Sequence, residues 1–241
     1  MLLTSLMRIY LTRSFKPFKF KNTYHNLLEF ENTKELGLYV HIPFCRSICS
    51  FCPYCKVVYD KDVATRYKSA LMKEIEIVGS QLTEKKTVTS LYFGGGTPAL
   101  MLNDLGDIID VLKKFFNITQ GIGVELHPED INREALNTLK LAGITMVSVG
   151  IQSFDEKCLS ALGRKGSNAY EKVKLVREAN FEVIDVDLIF AIPYQTEESL
   201  IDDIDKAFLG GATQISTYPF IDFTFADNLY KPMPEKVKKQ M

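Results

Sequence analysis

The run Tyr39-Val-His41-Ile-Pro43-Phe-Cys45-Arg-Ser-Ile-Cys49-Ser-Phe51-Cys52-Pro-Tyr-Cys55 joins a short apolar strand to four cysteines within eleven residues. The strand is Leu38–Ile42, so the cysteines fall on a loop at its C-terminal end. In a parallel barrel that is the end where catalytic residues collect. Thiolates are soft ligands that select zinc, cuprous copper or iron–sulfur clusters. A structural zinc site usually draws two ligand pairs from separated places. Here gaps of three, two and two residues lie in one continuous loop, and the fifth cysteine, Cys158, stands alone. Three cysteines spaced C-x3-C-x2-C can wrap three corners of a cubane and leave a fourth iron open to a chelating small molecule. An odd cysteine count, bunched this tightly, makes a poor disulfide framework, so it points to a reducing, cytoplasmic setting and a metal.

Outward from that loop the chain alternates short β-rich runs with amphipathic helical stretches. After Leu38–Ile42 the strand candidates are Ser90–Phe93, Gly123–Leu126, Met146–Ile151, Val183–Ile192 and Gln214–Tyr218. Most are near-continuous apolar runs, the pattern of parallel strands buried on both faces. Between them, one helix places Val63, Tyr67, Ala70, Leu71, Ile75 and Val78 on one face. A second begins with Asn103 as N-cap, and a third covers 132–141 and stops at Gly143. Tyr170–Ala179 and Glu197–Leu209 supply two more. Six strands alternating with five helices predict right-handed βαβ units, an α/β fold built as a partial (β/α)6 TIM-like barrel with parallel strands.

The 241 residues carry 29 Lys+Arg against 30 Asp+Glu, a net charge of −1 that argues against a nucleic-acid-binding tail. No apolar run approaches the ~20 residues of a membrane helix. Residues 1–35 read as a basic N-terminal extension, with Arg8, Arg13, Lys16, Lys19 and Lys21 and no acid before Glu29. Residues 36–222 hold the barrel pattern. Residues 223–241, with Pro232 and Pro234, read as a short or truncated C-terminal tail.

The cysteine spacing resembles that of the radical S-adenosylmethionine superfamily. The wording Tyr39-x-His41-Ile-Pro43-Phe44-Cys45 resembles, more narrowly, the oxygen-independent coproporphyrinogen III oxidase group. Gly94-Gly-Gly-Thr97-Pro98, Val124-Glu125, Gly150-Ile-Gln152-Ser-Phe154, Leu162-Gly-Arg164 and Asp187-Leu-Ile-Phe-Ala-Ile-Pro193 continue the match in the family's order. The resemblance implies a [4Fe-4S] cluster on Cys45, Cys49 and Cys52, with S-adenosylmethionine chelating the open iron. Reduction would cleave the sulfonium and release a 5′-deoxyadenosyl radical. It places Gly95 at the methionine amino group, Glu125 at the ribose hydroxyls, and Gly96, Thr97, Gln152, Arg164 and Asp187 among the other contacts to S-adenosylmethionine. Tyr39 and Phe51 resemble aromatic contacts to the sulfonium end and the adenine. It also implies a tetrapyrrole substrate and a flavodoxin or ferredoxin donor, since a low-potential cluster must be reduced.

Read without the resemblance, the triple glycine serves equally as a turn, and Glu125 as a loop salt bridge. Asp187, inside an apolar strand, must face the barrel mouth and have a partner, because an unpaired buried charge is costly. His41 reads as support for the loop, His127 as cavity lining, and Cys158 as an inert buried thiol. The chain departs from the oxidases at Cys55, which follows Cys52 by three residues where they have C-x-C, and Ile221 stands where they present a smaller residue to a second S-adenosylmethionine. Relatives with this core include haem chaperones and radical methyltransferases or cyclopropanases as well as oxidases.

Overall fold

The computed structural model describes residues 33–164, 168–221 and 231–239. The expected basic extension falls mainly on residues outside this set, as does much of the tail. Strand β1 (Glu35–Ile42) leads into the cysteine loop, which is closed by a small parallel pair, β2 (Phe44–Cys45) and β3 (Val57–Val58). Helix α1 (Lys61–Gly79) follows, its N-terminus capped by Asp60, whose side chain accepts from the Val63 amide. The chain continues through β4 (Lys86–Gly95), α2 (Leu102–Phe115), β5 (Phe116–Ile118), β6 (Ile122–Leu126) and α3 (Arg133–Leu141). Then come β7 (Met146–Gln152), α4 (Glu156–Ala161), α5 (Ala169–Glu178), β8 (Val183–Phe190), α6 (Glu197–Gly210), β9 (Gln214–Pro219) and a last turn, α7 (Glu235–Lys238).

The strands pair in the order β1-β4-β6-β7-β8-β9, parallel at every step, as an open half-barrel with helices outside. Each expected strand is present. Short β5 is an addition: it pairs with the start of β4, and β6 pairs with the end of β4, so the two are one strand interrupted near Gly121. Asn103 does not cap α2. A 3-10 turn over Pro98–Met101, opened by the fixed φ of Pro98, runs straight into the helix, and Asn103 sits in its first turn.

Strand alternation divides the sheet into two faces. Val147, Val149, Val186 and Leu188 point outward into a core with Ile108, Leu112, Leu139 and Val176 of the helices. Their neighbours Ser148, Gly150, Asp185 and Asp187 face the interior. The strands are therefore apolar on the helix face and polar on the barrel face, whereas the run of apolar residues suggested burial on both. A satellite cluster of Cys158, Ala161, Leu162, Ile189, Ile192 and Phe220 lies under α4, and Phe51 of the cysteine loop packs against it.

Candidate active site

A cavity of about 410 Å³ is bordered by the C-terminal ends of the strands and the loops that leave them. Cys45, Cys49 and Cys52 all line it, while Cys55 is exposed. The loop that carries them is tied at its base: the Val57 amide donates to the Pro43 carbonyl and the Tyr59 amide to the Cys45 carbonyl, each at 2.8 Å. His41 supports the loop, its Nε2–H donating to the Cys55 carbonyl at 2.9 Å. Arg46 is fastened across the cavity rim by a 2.9 Å bond from Nε to Asp130, whose side chain is only 4% exposed. Burial pushes the Cys45 and Cys49 thiols up; Thr97 pulls Cys45 back down, Arg164 does so for Cys49, and the neighbouring sulfurs raise both. The three thiols are thus within electrostatic reach of one another.

The glycines of the second βα loop are explained first by the protein itself. A Cβ on Gly96 would overlap the Phe44 carbonyl oxygen. The Gly96 and Thr97 amides donate to Ile42 and Phe44 across this contact, at 2.7 and 2.6 Å. Gly95 has φ +116°, a region favouring glycine, and a Cβ there would strike the His41 ring. Gly95, Gly96 and Thr97 also line the cavity, so close approach to the loop and openness to a ligand coincide.

Glu125 closes the cavity from β6. Its Oε2 accepts from the Gly95 amide at 3.0 Å, and burial raises its pKa against that bond. Asp187, from β8, has the partner its position requires: Ser148 Oγ donates to it at 2.8 Å. Burial nevertheless pushes Asp187 up to about 7, with Asp185 and Glu125 adding to the effect. Gln152 enters at a register shift between β7 and β8 with φ 74°, a left-handed backbone that re-aims the strand end. Arg164 donates to the Gly150 carbonyl at 2.7 Å, and Phe51 also lines the cavity. Tyr39 is different. It is 58% exposed, lies beside the cavity rather than in its wall, and stacks on Tyr92 at 6.5 Å.

His127 lines the cavity as expected; burial, with help from Arg164 and Arg46, lowers its pKa to about 3, and its Nδ1 accepts from the Glu129 amide. Cys158 is 1% exposed. Tyr92, Ser148, Asp185 and the Arg46–Asp130 pair are site residues that sequence reading missed. Strand parity carries a signal for the first three, which fall in step with Gly94, Gly150 and Asp187. Nothing in the sequence pairs Arg46 with a residue eighty-four positions away.

A profile of the Radical SAM superfamily matches residues 39–207. The chain belongs to this superfamily. Among curated relatives, this radical SAM protein is 31% identical over 193 residues to the oxygen-independent coproporphyrinogen III oxidase of Pseudomonas aeruginosa, covering 77% of this chain and 42% of the relative. It is 34% identical over 190 residues to the heme chaperone HemW of Bacillus subtilis, covering 76% and 50%. The chain spans about half the length of the curated relatives it matches. The solved structure of coproporphyrinogen III oxidase (HemN) from Escherichia coli superposes with a TM-score of 0.72 at 27% identity, covering 79% of this chain and 45% of that one. These matches place the chain in the group shared by the oxidases and the heme chaperone.

The donor set fits the iron–sulfur cluster that this superfamily implies. Three soft thiols, Cys45, Cys49 and Cys52, border one cavity. Thiolate is the ligand type that holds such clusters. No helix among the described residues is long and apolar enough to cross a membrane.

Proposed function

We propose that this chain binds a [4Fe-4S] cluster through Cys45, Cys49 and Cys52, binds S-adenosylmethionine beside it, and directs the resulting radical at a tetrapyrrole. The reaction proposed is the oxidative decarboxylation of a coproporphyrinogen III propionate. Once reduced, the cluster and S-adenosylmethionine together supply a 5′-deoxyadenosyl radical. The observation that carries the reading is that the three cysteines share one cavity with Gly95, Glu125, Gln152, Arg164 and Asp187, which arrive from four further strand ends.

The chain's own residues have defined tasks. Glu125 spends one oxygen on the Gly95 amide, which holds the carboxylate still and leaves Oε1 to accept from ribose hydroxyls. Arg164 spends one N–H on the Gly150 carbonyl and keeps others to clamp a carboxylate. Gln152 and Asp187 complete the polar wall, and Thr97 closes it near Cys45. Phe51 offers an aromatic face within the cavity, and Tyr39 acts from beside it. A flavodoxin or ferredoxin in the cytoplasm would deliver the electron.

A second reading, haem binding and transfer, is favoured by the 34% identity to HemW. One anaerobic experiment separates the two: reconstitute, reduce, add S-adenosylmethionine, and quantify 5′-deoxyadenosine with and without coproporphyrinogen III. Product that rises with the porphyrinogen supports the oxidase. No product from a fully loaded cluster, together with tight haem binding, supports the chaperone.

A further inference from the structure

The segment 150–164, which carries Gln152 and Arg164, is folded back on itself. Gln152 holds a left-handed backbone at φ 74°, and its Nε2 lies over Gly150, where a Cβ would come within 2.9 Å. A non-glycine residue persists in that region only when its surroundings over-determine it. Three contacts within the segment help: Ser153 Oγ accepts from the Asp155 amide at 3.0 Å, Asp155 caps α4, and Arg164 returns to the Gly150 carbonyl. These contacts close a ring whose two ends sit on the barrel, Gln152 beside Leu188 of β8 and Leu162 in one cluster with Ile189 and Ile192, and leave the turn between them to be held from outside.

Asp203 holds it. It stands on α6, outside the cavity wall, and is 1% exposed. Its Oδ2 accepts from Ser153 Oγ and its Oδ1 from the Phe154 amide, both at 2.7 Å. Ser153 is itself fully buried. A buried carboxylate would be costly without such donors; with them it binds the turn just after Gln152 by two charge-assisted bonds.

We propose that Asp203 is a positioning residue for the cofactor site: through Ser153 and Phe154 it holds Gln152 and Arg164 in the geometry that receives the amino-acid end of S-adenosylmethionine. The inference rests on the reading of the cavity as the S-adenosylmethionine site.

The test compares Asp203→Ala, Asp203→Asn and Ser153→Ala with wild type, and uses Leu139→Ala, a core truncation between helix and sheet, as a control for general destabilisation. Each reconstituted protein is assayed for iron and sulfide content, for the dissociation constant of S-adenosylmethionine by equilibrium dialysis, and, without cofactors, for amide exchange. Asp203→Ala is expected to weaken S-adenosylmethionine at least tenfold at unchanged iron content and to speed exchange over 152–164. Asp203→Asn and Ser153→Ala should weaken it about threefold, and Leu139→Ala should leave it unchanged. Wild-type affinity in Asp203→Ala, or an equal loss in Leu139→Ala, overturns the proposal. If Asp203→Ala does not fold, the two milder variants decide, and wild-type affinity in both overturns it. If wild type binds no S-adenosylmethionine, the proposed function falls and the positioning role falls with it; faster exchange confined to 152–164 would then mark Asp203 as an anchor of the fold alone.

Discussion

Replacing Asp187 with asparagine is expected to stabilise the cofactor-free chain at neutral and higher pH. Burial pushes the Asp187 carboxyl up to about 7 from the 3.8 of an ordinary aspartate, and Asp185 and Glu125, which face the same cavity, add to the effect. At about 1.4 kcal/mol per pH unit, full ionisation costs the folded state at most about 4 kcal/mol. The sign follows from proton counting. Between about pH 4 and pH 7 the unfolded chain has already lost the proton that the folded chain keeps, so stability falls as pH rises and the penalty is constant above pH 7. The asparagine side chain carries no charge, and its amide oxygen can keep the bond from Ser148. Urea and thermal unfolding of both proteins in reductant, at about pH 5.5 and about pH 8, measure the effect. The variant should melt higher at the upper pH by up to roughly 8–16 °C, with the gap about halved at the lower one. The wild-type-to-variant difference isolates Asp187 from other titrating groups. A variant no more stable at the upper pH, or a gap that does not narrow as pH falls, refutes the argument. The cost belongs at a ligand site, where a bound hydroxyl or N–H donor would offset it.

Other outcomes follow from the same geometry. Cys49→Ala should abolish cluster assembly and Cys55→Ala should spare it, since Cys49 lines the cavity and Cys55 is exposed; iron and sulfide analysis distinguishes them. Gly96→Ala drives a methyl into the Phe44 carbonyl and should destabilise the chain by about 2 kcal/mol or more, read by urea unfolding, with the cysteine loop losing iron on desalting. The His127 ring should stay neutral from about pH 5 to about pH 8, because burial and two arginines lower its pKa to about 3; a C2-proton shift that titrates near 6.5 in NMR spectra would contradict this.

Much of the site was legible because its residues are punctuated. The cysteine spacing is rare enough to be read on its own; the triple glycine and the acid at a strand end took their meaning from their order in the resemblance, and each follows a strand that periodicity locates. The partner of Asp187 was legible only as a requirement. That Ser148 meets it depends on the register of β7 against β8, which pairs residues thirty-nine positions apart. The surroundings of Tyr39 were not legible either: the register of β1 against β4 sets it level with Tyr92, on which it stacks beside the cavity.

Local chemistry in the chain determines the strand and helix order, the parallel sheet, the cysteine loop at a strand's C-terminal end, and so the class of site. These are properties of neighbours in sequence, set by side-chain period, capping residues and thiolate softness. Only the tertiary structure decides why Gly96 admits no side chain, which carboxyls share the barrel interior, and that Asp203 on an outer helix clamps the turn carrying Gln152. Each of those turns on two backbones meeting at an ångström-scale distance. Such a distance depends on how sheet and helices pack, and no local pattern encodes it.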